Sequence, residues 1–173
     1  IFANHWPSHY FGLLESQSLR NRAANILRTE IKMLQKKYND PNIVIVGDFN
    51  DQPSDESISL HLGALNFSEN RLKVEENQIY NLSFSWMNQD LGTLKYQSQW
   101  SVFDQIMVSG NLMNPENKIF TRTECVKIVQ LPFLLENDER FGGIKTNRTY
   151  TGFHYNGGFS DHLPVLLKLQ LNP

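Results

Sequence analysis

Four places in this sequence combine ionisable or amide side chains with the ends of apolar, strand-like runs. They are Asn4-His5, Asp48 with Asn50, Asp104, and Asp161-His162. Burying a carboxylate without a partner costs on the order of several kcal/mol, so we expect a cation or an imidazolium beside these groups. Because α/β proteins place their sites at strand ends, where a packed sheet fixes the backbone, the pattern predicts one site built from all four segments.

Each segment also has a purely structural explanation when taken alone. Asp48 and Asn50 lie in Gly-Asp-Phe-Asn, where both side chains can bond the backbone of a turn. His5 can be a satisfied core histidine, and Asp104 can cap a bulge or pair with a lysine. Ser-Asp-His at 160–162 can be the polar start of a strand. The occurrence of all four together favours the site.

The elements that must position these groups follow from hydrophobic periodicity. Strands are predicted over residues 1–6, over the β-branched run 43–46, over 101–109 and over 162–171. In the third of these, alternation places one set of side chains on one side: Val102, Asp104, Ile106 and Val108. The pattern predicts one domain with a mixed α/β sheet.

Helices are predicted from about Ser18 to Tyr38 and from Pro53 to about Leu65. The apolar stripe of the first consists of Leu19, Ala23, Leu27, Ile31, Leu34 and Tyr38, widened by Ile26. Ser16 or Ser18 can cap its start. Residues 66–78 are predicted to be loop or a short edge, residues 80–86 and 92–100 to pair as a hairpin, and residues 131–155 to be rich in loops.

Composition excludes several classes of protein. With 40% hydrophobic and 20% charged residues, the chain is globular rather than disordered. Its net charge of −2 and the absence of clustered Lys and Arg make bulk duplex DNA an unfavoured substrate. One cysteine, Cys125, allows no disulfide within the chain and is interpreted as a small buried hydrophobe. No run of about 18 apolar residues is present, so we expect a soluble chain without a transmembrane segment.

Taken in order, four motifs resemble the endonuclease/exonuclease/phosphatase superfamily of DNase I-like enzymes. They are Asn-His-Trp-Pro-Ser at 4–8, Gly-Asp-Phe-Asn at 47–50, Phe-Asp-Gln-Ile-Met-Val-Ser at 103–109, and Ser-Asp-His-Leu-Pro-Val at 160–165. The sequences of residues 148–150 and 155–159 are similar to those of bacterial members of the superfamily whose substrates are unassigned. The resemblance implies the carboxy-terminal part of a four-layer α/β sandwich, with mixed, largely antiparallel sheets flanked by helices.

The resemblance also implies an activity, the metal-dependent hydrolysis of phosphoester bonds by in-line attack of water. Asp48 would orient or deprotonate the water, and Asn50 would hold Asp48 or a phosphate oxygen. Mg²⁺ or Mn²⁺ would be bound by Asp161, with Asp48 and Asn50 also in the metal environment. The alternatives are a non-catalytic ligand-binding or interaction domain on the same scaffold, and a fragment that is inactive because metal ligands are missing.

Two histidines complete the implied catalytic set. His162 would pair with Asp104, which fixes its tautomer and raises its pKa, and His5 would donate to a phosphoryl oxygen. Whether His162 or Asp48 is the general base stays open. Arg148 is a candidate contact to substrate phosphate, with an ordinary surface arginine as the alternative.

The family uses an earlier Asn and an earlier Glu at the metal, and both would precede Ile1. We therefore expect residues 1–173 to be one incomplete domain whose amino-terminal part has been removed. The expected substrate is a phosphorylated small molecule or a nucleotide-like compound. The sequence leaves its identity, the compartment and the oligomeric state open.

Overall fold

A computed structural model describes residues 1–67, 74–90 and 92–173. Residues 68–73 of the loop predicted over residues 66–78 lie outside these ranges. The longest element is helix α1, Leu13–Lys37. Strands β1 to β15 are Phe2–His5, Val44–Asp48, Leu65–Asn66, Ile79–Asn81, Leu94–Tyr96, Gln99–Ser101, Asp104–Ser109, Ile119–Phe120, Val126–Ile128, Leu135–Asn137, Ile144–Thr146, Tyr150–Thr151, His154–Tyr155, Val165–Leu167 and Gln170–Leu171.

The central sheet has five strands in the order β1-β2-β7-β4-β3. β1 lies parallel to β2 and β3 parallel to β4, whereas β7 is antiparallel to both of its neighbours. The apolar residues of β2 alternate between the two faces of the sheet, as expected for a strand covered on both sides. The predicted mixed α/β fold class is confirmed.

Each face of the sheet packs against its own apolar cluster. On one face, Ile45 and Met107 pack with Ala24, Leu27 and Ile31 of α1. On the other face, three predicted neighbours lie together in the second cluster: Val102, Ile106 and Val108. The predicted alternation in this strand is therefore confirmed, and Asp104 begins β7 on the same side.

Smaller antiparallel pairs cover the second face and extend from it. Among the described residues they are β5-β6, β8-β15, β9-β14, β10-β11 and β12-β13. Short helical turns connect them, at His9–Phe11, Ser57–Leu62, Leu82–Asn88, Gly110–Met113, Thr123–Cys125 and Pro132–Leu134. Cys125 is buried, as expected. In the described ranges, no helix combines the length and the apolar character that crossing a bilayer requires.

Helix α1 differs from its prediction in its start and in its buried face. It begins at Leu13, five residues earlier than predicted, and its N-cap is Gly12 rather than Ser16 or Ser18. The Ser16 hydroxyl instead donates to the Gly12 carbonyl at 2.6 Å, inside the first turn.

The predicted apolar stripe of α1 was wrong at three positions, since half or more of Leu19, Ile26 and Tyr38 is exposed. Arg20 occupies a fully buried position on the covered face. Hydrophobic periodicity in the sequence does not predict a buried arginine, because the groups that compensate for the burial of its charge come from elsewhere in the chain.

Two further predictions were wrong in the middle of the chain. Residues 80–86 do not pair with 92–100; instead, β5 and β6 form a hairpin with each other, and Leu82–Asn88 is a 3₁₀ helix. The Asn81 side chain accepts from the Ser83 N–H at 3.0 Å and turns the chain there. The buried residues are Leu82, Ser83 and Trp86, and alternation in a strand would not bury both Leu82 and Ser83, whereas spacings of three and four fit one face of a helix.

Two predicted elements are shorter than expected. The helix predicted from Pro53 is limited to a π-helical segment, Ser57–Leu62, which ends at Gly63 in a left-handed conformation. The final strand is split into β14 and β15 with residues 168–169 between them.

Candidate active site

Three predicted site residues form one row across three neighbouring strands. His5 ends β1 and lies beside Asp48, which ends β2, and Asp48 lies opposite Asp104, which begins β7. Residues directly opposite each other in a sheet project to the same face. The register therefore brings an imidazole and two carboxylates to one edge of the sheet, although the sequence separates them by up to 99 positions.

Asp48 is held by the residue two positions later. The Asn50 N–H donates to Asp48 Oδ1 at 2.8 Å, and Asn50 Nδ2 donates to Asp48 Oδ2 at 3.2 Å. The same amide nitrogen donates to the Trp6 carbonyl at 3.0 Å. Asn50 adopts a φ of 51°, a left-handed conformation that asparagine tolerates better than most residues. The Gly-Asp-Phe-Asn turn therefore fixes Asp48, as the structural explanation of this motif expected, and leaves it at the edge.

Gly47 lets β1 approach β2 closely at this point. Its φ is 138°, and a Cβ at this position would collide with the backbone carbonyl of Asn4. Only glycine fits here without displacing the strand that carries His5.

His162 reaches this edge from the other end of the chain. Its Nδ1 lies 2.6 Å from Asp104 Oδ2. An ionised carboxylate only accepts, so Nδ1 carries the hydrogen and Nε2 points away from Asp104. His162 Nε2 lies 4.0 Å from Asp48 Oδ2, and His5 Nε2 lies 3.7 Å from the same oxygen. Both distances exceed hydrogen-bond length.

The pKa values at this edge respond to burial and to neighbouring charge. Burial alone would lower the pKa of His162, but the hydrogen bond and charge of Asp104 raise it, with help from Asp48 and Asp161. The net pKa of His162 lies above its ordinary value. Burial raises the pKa of Asp48, and the Asn50 N–H and the His162 charge only partly offset that rise. The site thus favours an imidazolium at His162 beside a carboxylate of increased basicity.

Thr93 positions Asp104 relative to His162. Its buried hydroxyl oxygen accepts from the N–H groups of Phe103 at 3.1 Å and Asp104 at 3.0 Å. Its carbonyl accepts from the Leu163 N–H at 2.7 Å, and the next residue, Leu94, bridges to His162. Thr93 thus holds the backbone of Asp104 and of Leu163, the residue directly after His162.

A buried ion pair supports the turn that follows Asp48. Arg20 Nε of α1 lies 2.8 Å from Asp51 Oδ1, and the two side chains are 1% and 4% exposed. Asp51 Oδ2 accepts from the Ser57 hydroxyl at 2.6 Å, and His9 Nε2 lies 3.5 Å from Oδ1. On the backbone side, Gln105 Nε2 donates to the Asp51 carbonyl at 2.6 Å. These contacts anchor the turn to α1 and to the sheet.

Asp161 and Arg148 lie at the rim of the edge rather than in the row. Asp161 is exposed and precedes His162 directly. Both residues line one cavity of about 320 Å³, together with Ser160. Arg148 Nη2 donates to the Lys95 carbonyl at 2.8 Å, and this hydrogen bond fixes one nitrogen of the guanidinium. Arg148 is thus half-buried and is not an ordinary surface arginine.

The oxygen donors at this edge fit a hard divalent cation in type. Mg²⁺ is usually held by one or two carboxylates and several waters, and the exposed carboxylate of Asp161 can serve in that way. No group of three or more His, Cys, Asp or Glu side chains that could hold a metal ion occurs within the described ranges.

The structure therefore brings His5, Asp48, Asn50, Asp104 and His162 together and places Asp161 beside them. Sequence reasoning missed the supporting residues: Arg20, Asp51, Thr93 and Gln105. Asp51 extends the Gly-Asp-Phe-Asn run, so its position was a usable signal. Thr93 carries no signal in the sequence, because its role depends on two distant segments meeting.

No curated protein matches the sequence. The solved structure of an endonuclease/exonuclease/phosphatase family protein of Bacteroides thetaiotaomicron is similar to this chain. The sequence identity is 16% and the TM-score is 0.47, over 88% of this chain and 43% of that one. The mannosyl-6-phosphatase of the same organism is similar at 16% identity and a TM-score of 0.44, over 90% of this chain and 47% of that one.

The endonuclease/exonuclease/phosphatase of Bacteroides vulgatus is similar at 15% identity and a TM-score of 0.43, over 91% of this chain and 46% of that one. The chain thus spans less than half the length of these solved structures. A model of the Endonuclease/Exonuclease/phosphatase family matches residues 1–171, which confirms the resemblance seen in the four motifs, and the chain belongs to this family.

Proposed function

We propose that this chain carries the central catalytic groups of a metal-dependent phosphoester hydrolase. The observation that carries the proposal is the convergence of three side chains on Asp48: Asn50, His5 and the Asp104-bound His162. Two imidazole Nε2 atoms face one carboxylate oxygen at distances too long for direct hydrogen bonds. The two imidazoles and the carboxylate thus face one region at the edge of the sheet, and a phosphoryl group with an attacking water would bind beside all three.

Asp48 is the group that accepts the proton of the attacking water in this proposal. Its raised pKa makes it a stronger base than an exposed aspartate, and Asn50 holds it in one orientation. As the water oxygen bonds to phosphorus, the bond to the ester oxygen breaks, and solvent protonates the departing oxygen. A positioned general base of this kind contributes roughly 10²–10⁴-fold to the rate.

His162 and His5 stabilise the charge that develops on the phosphoryl oxygens. Asp104 keeps His162 protonated and fixes its ring, so that Nε2–H donates to an oxygen of the transferring group. His5 donates to a second oxygen, and its side chain is 77% exposed and thus accessible to a substrate. Such preorganised donors act where charge forms in the transition state.

Asp161 is the residue proposed to hold Mg²⁺ or Mn²⁺, with Asp48 and Asn50 near it. When bound, the cation would supply positive charge toward the phosphoryl oxygens. The substrate class proposed is a phosphorylated small molecule or a nucleotide-like compound. The net charge of −2 supports a small anion more than bulk duplex DNA.

The experiment is a divalent-metal titration with bis(p-nitrophenyl) phosphate and p-nitrophenyl phosphate. It is made with the full-length protein. Asp48→Ala should reduce turnover by orders of magnitude, whereas Asp90→Ala, which removes an exposed carboxylate, should not. Equal turnover by the Asp48→Ala and wild-type proteins would refute the proposal.

A further inference from the structure

A second cavity, of about 450 Å³, lies next to the one that contains Asp161. Its wall includes four cations and one anion: Lys95, Arg140, Lys145, Arg148 and Asp138. The chain as a whole has a net charge of −2, so this concentration of positive charge is local. The volume lies within the range of about 300–1,000 Å³ that is typical of small-molecule sites.

Two of the four cations are already neutralised by carboxylates. Lys95 Nζ lies 2.8 Å from Asp138 Oδ2, with both side chains 4% exposed, and it also donates to the Gly142 carbonyl at 2.7 Å. Lys145 Nζ lies 3.3 Å from Glu136 Oε1, and both of these side chains are largely exposed. The first pair is a fixed part of the wall, whereas the second is weak and open to exchange with a ligand.

The two arginines keep positive charge available to a ligand. The described parts of the chain place no carboxylate within ion-pair distance of Arg140 or Arg148. The Arg140 guanidinium lies over the Phe141 ring at 5.0 Å from its centroid, and both residues line the cavity. Arg148 uses one nitrogen for the Lys95 carbonyl. A guanidinium fork suits the paired oxygens of a phosphate.

Arg148 connects this cavity to the candidate active site. It lines both the cavity of Asp161 and the cavity of Arg140. β5 also links the second cavity to the candidate active site, because Leu94 bridges to His162 while its neighbour Lys95 lines the cavity. A substrate with its reacting phosphate at Asp48 can therefore extend past Arg148.

We propose that the second cavity binds a second phosphate group of the same substrate, so that the preferred substrate class is a small-molecule bisphosphate. This inference rests on the proposed function for its reacting phosphate. Arg140 and Lys145 bind the non-reacting phosphate, and Arg148 lies between the two phosphates. Specificity thus comes from charge supplied by the β10-β11 hairpin and its turn.

The test measures kcat/KM for glucose 1-phosphate and glucose 1,6-bisphosphate in the full-length protein. We expect a preference for the bisphosphate that falls about tenfold or more in Arg140→Gln, the effect of losing a hydrogen bond between charged groups. Arg122→Gln is the matched control, because Arg122 is also an exposed arginine over an aromatic ring, Phe120, at 5.5 Å. The control should keep the wild-type preference.

A binding measurement separates this inference from the proposed function. Calorimetric titration with glucose 1,6-bisphosphate requires no turnover, and Arg140→Gln should weaken the affinity about tenfold. If binding depends on Arg140 but Asp48→Ala keeps the wild-type turnover, the bisphosphate site stands and the hydrolase proposal fails. If hydrolysis requires Asp48 while Arg140→Gln changes neither the preference nor the affinity, the bisphosphate inference is overturned. Equal losses in Arg122→Gln and Arg140→Gln would also overturn it, because they indicate a general effect of charge.

Discussion

Replacing Asp104 with asparagine tests the electrostatic core of the site most directly. The change keeps the size of the side chain and an oxygen acceptor for His162, but it removes the negative charge 2.6 Å from Nδ1. The backbone N–H of residue 104 still donates to the Thr93 hydroxyl, and the pairing with Asp48 across the sheet is kept. The substitution therefore isolates charge from structure.

The size of the effect follows from the strength of the hydrogen bond. A hydrogen bond to a charged group contributes roughly 1.5–3 kcal/mol, about twice the value of a neutral one. Loss of the charge therefore removes about half of that, on the order of 1 kcal/mol. Since about 1.4 kcal/mol changes a rate tenfold, we expect kcat/KM to fall roughly five- to tenfold.

The pKa of His162 should fall in the same variant. Asp104 opposes the effect of burial on this imidazole, so without the charge burial prevails and His162 loses its proton at lower pH. The basic limb of the pH–rate profile, where the imidazolium is lost, should accordingly move to lower pH. NMR titration of the imidazole reports the same change in the chain itself, independently of turnover, with His162→Gln identifying the resonance.

Asp90→Asn provides the control, since it removes the charge of an exposed carboxylate without touching the row. If Asp104→Asn leaves the titration midpoint of His162 unchanged, the proposal that the Asp104 charge raises the pKa of His162 is wrong. If the midpoint falls but the basic limb of the rate profile stays in place, His162 is not the imidazolium that turnover requires.

Two other buried ion pairs give predictions about stability. Arg20→Met leaves Asp51 buried without its partner and should lower the free energy of unfolding by about 3–5 kcal/mol in urea denaturation, whereas Arg22→Met, on the exposed face of α1, should change it little. The hydrogen bond from Lys95 holds the pKa of Asp138 below its ordinary value of 3.8, so this pair stabilises the fold at neutral pH and the contribution is lost as the pH falls through that lowered pKa. The difference in urea midpoint between wild type and Asp138→Asn should therefore be largest at neutral pH and shrink below 3.8; a difference independent of pH would contradict this reasoning.

The sequence predicted the strands of the central sheet better than the elements around it. The β-branched run before Asp48 and the alternation after Asp104 follow directly from burial on two faces, and both strands are present. The second begins at Asp104, three residues later than predicted, because Ser101 belongs to the hairpin of β5 and β6. Helix α1 was predicted as a helix, but several of the residues on its buried face were predicted wrongly. Arg20 is covered because Asp51, Pro7 and Leu13 satisfy its guanidinium, and those contacts are formed only in the folded chain.

The sequence indicated which residues form the candidate site, but it did not indicate which residues hold them in place. His5 and Asp48 follow predicted strands, and Asp104 was conspicuous as a carboxylate among the apolar positions of another predicted strand. The hydroxyl of Thr93 and the amide of Gln105 are ordinary polar groups in the sequence, and only the tertiary structure gives them backbone partners. The hairpin 94–101 was assigned to the wrong partner because short strands of weak alternation specify their register poorly.

The single row formed by His5, Asp48 and Asp104 limits how the gene of such a protein can change in length. Inserting one codon within β1 or β2 would rotate every later side chain of that strand to the opposite surface, so the imidazole or the carboxylate would point into the layer beneath α1. Insertions in the connections between strands carry no such geometric consequence. Diversity in chain length is therefore expected to accumulate around the sheet, while the spacing within these strands stays constant.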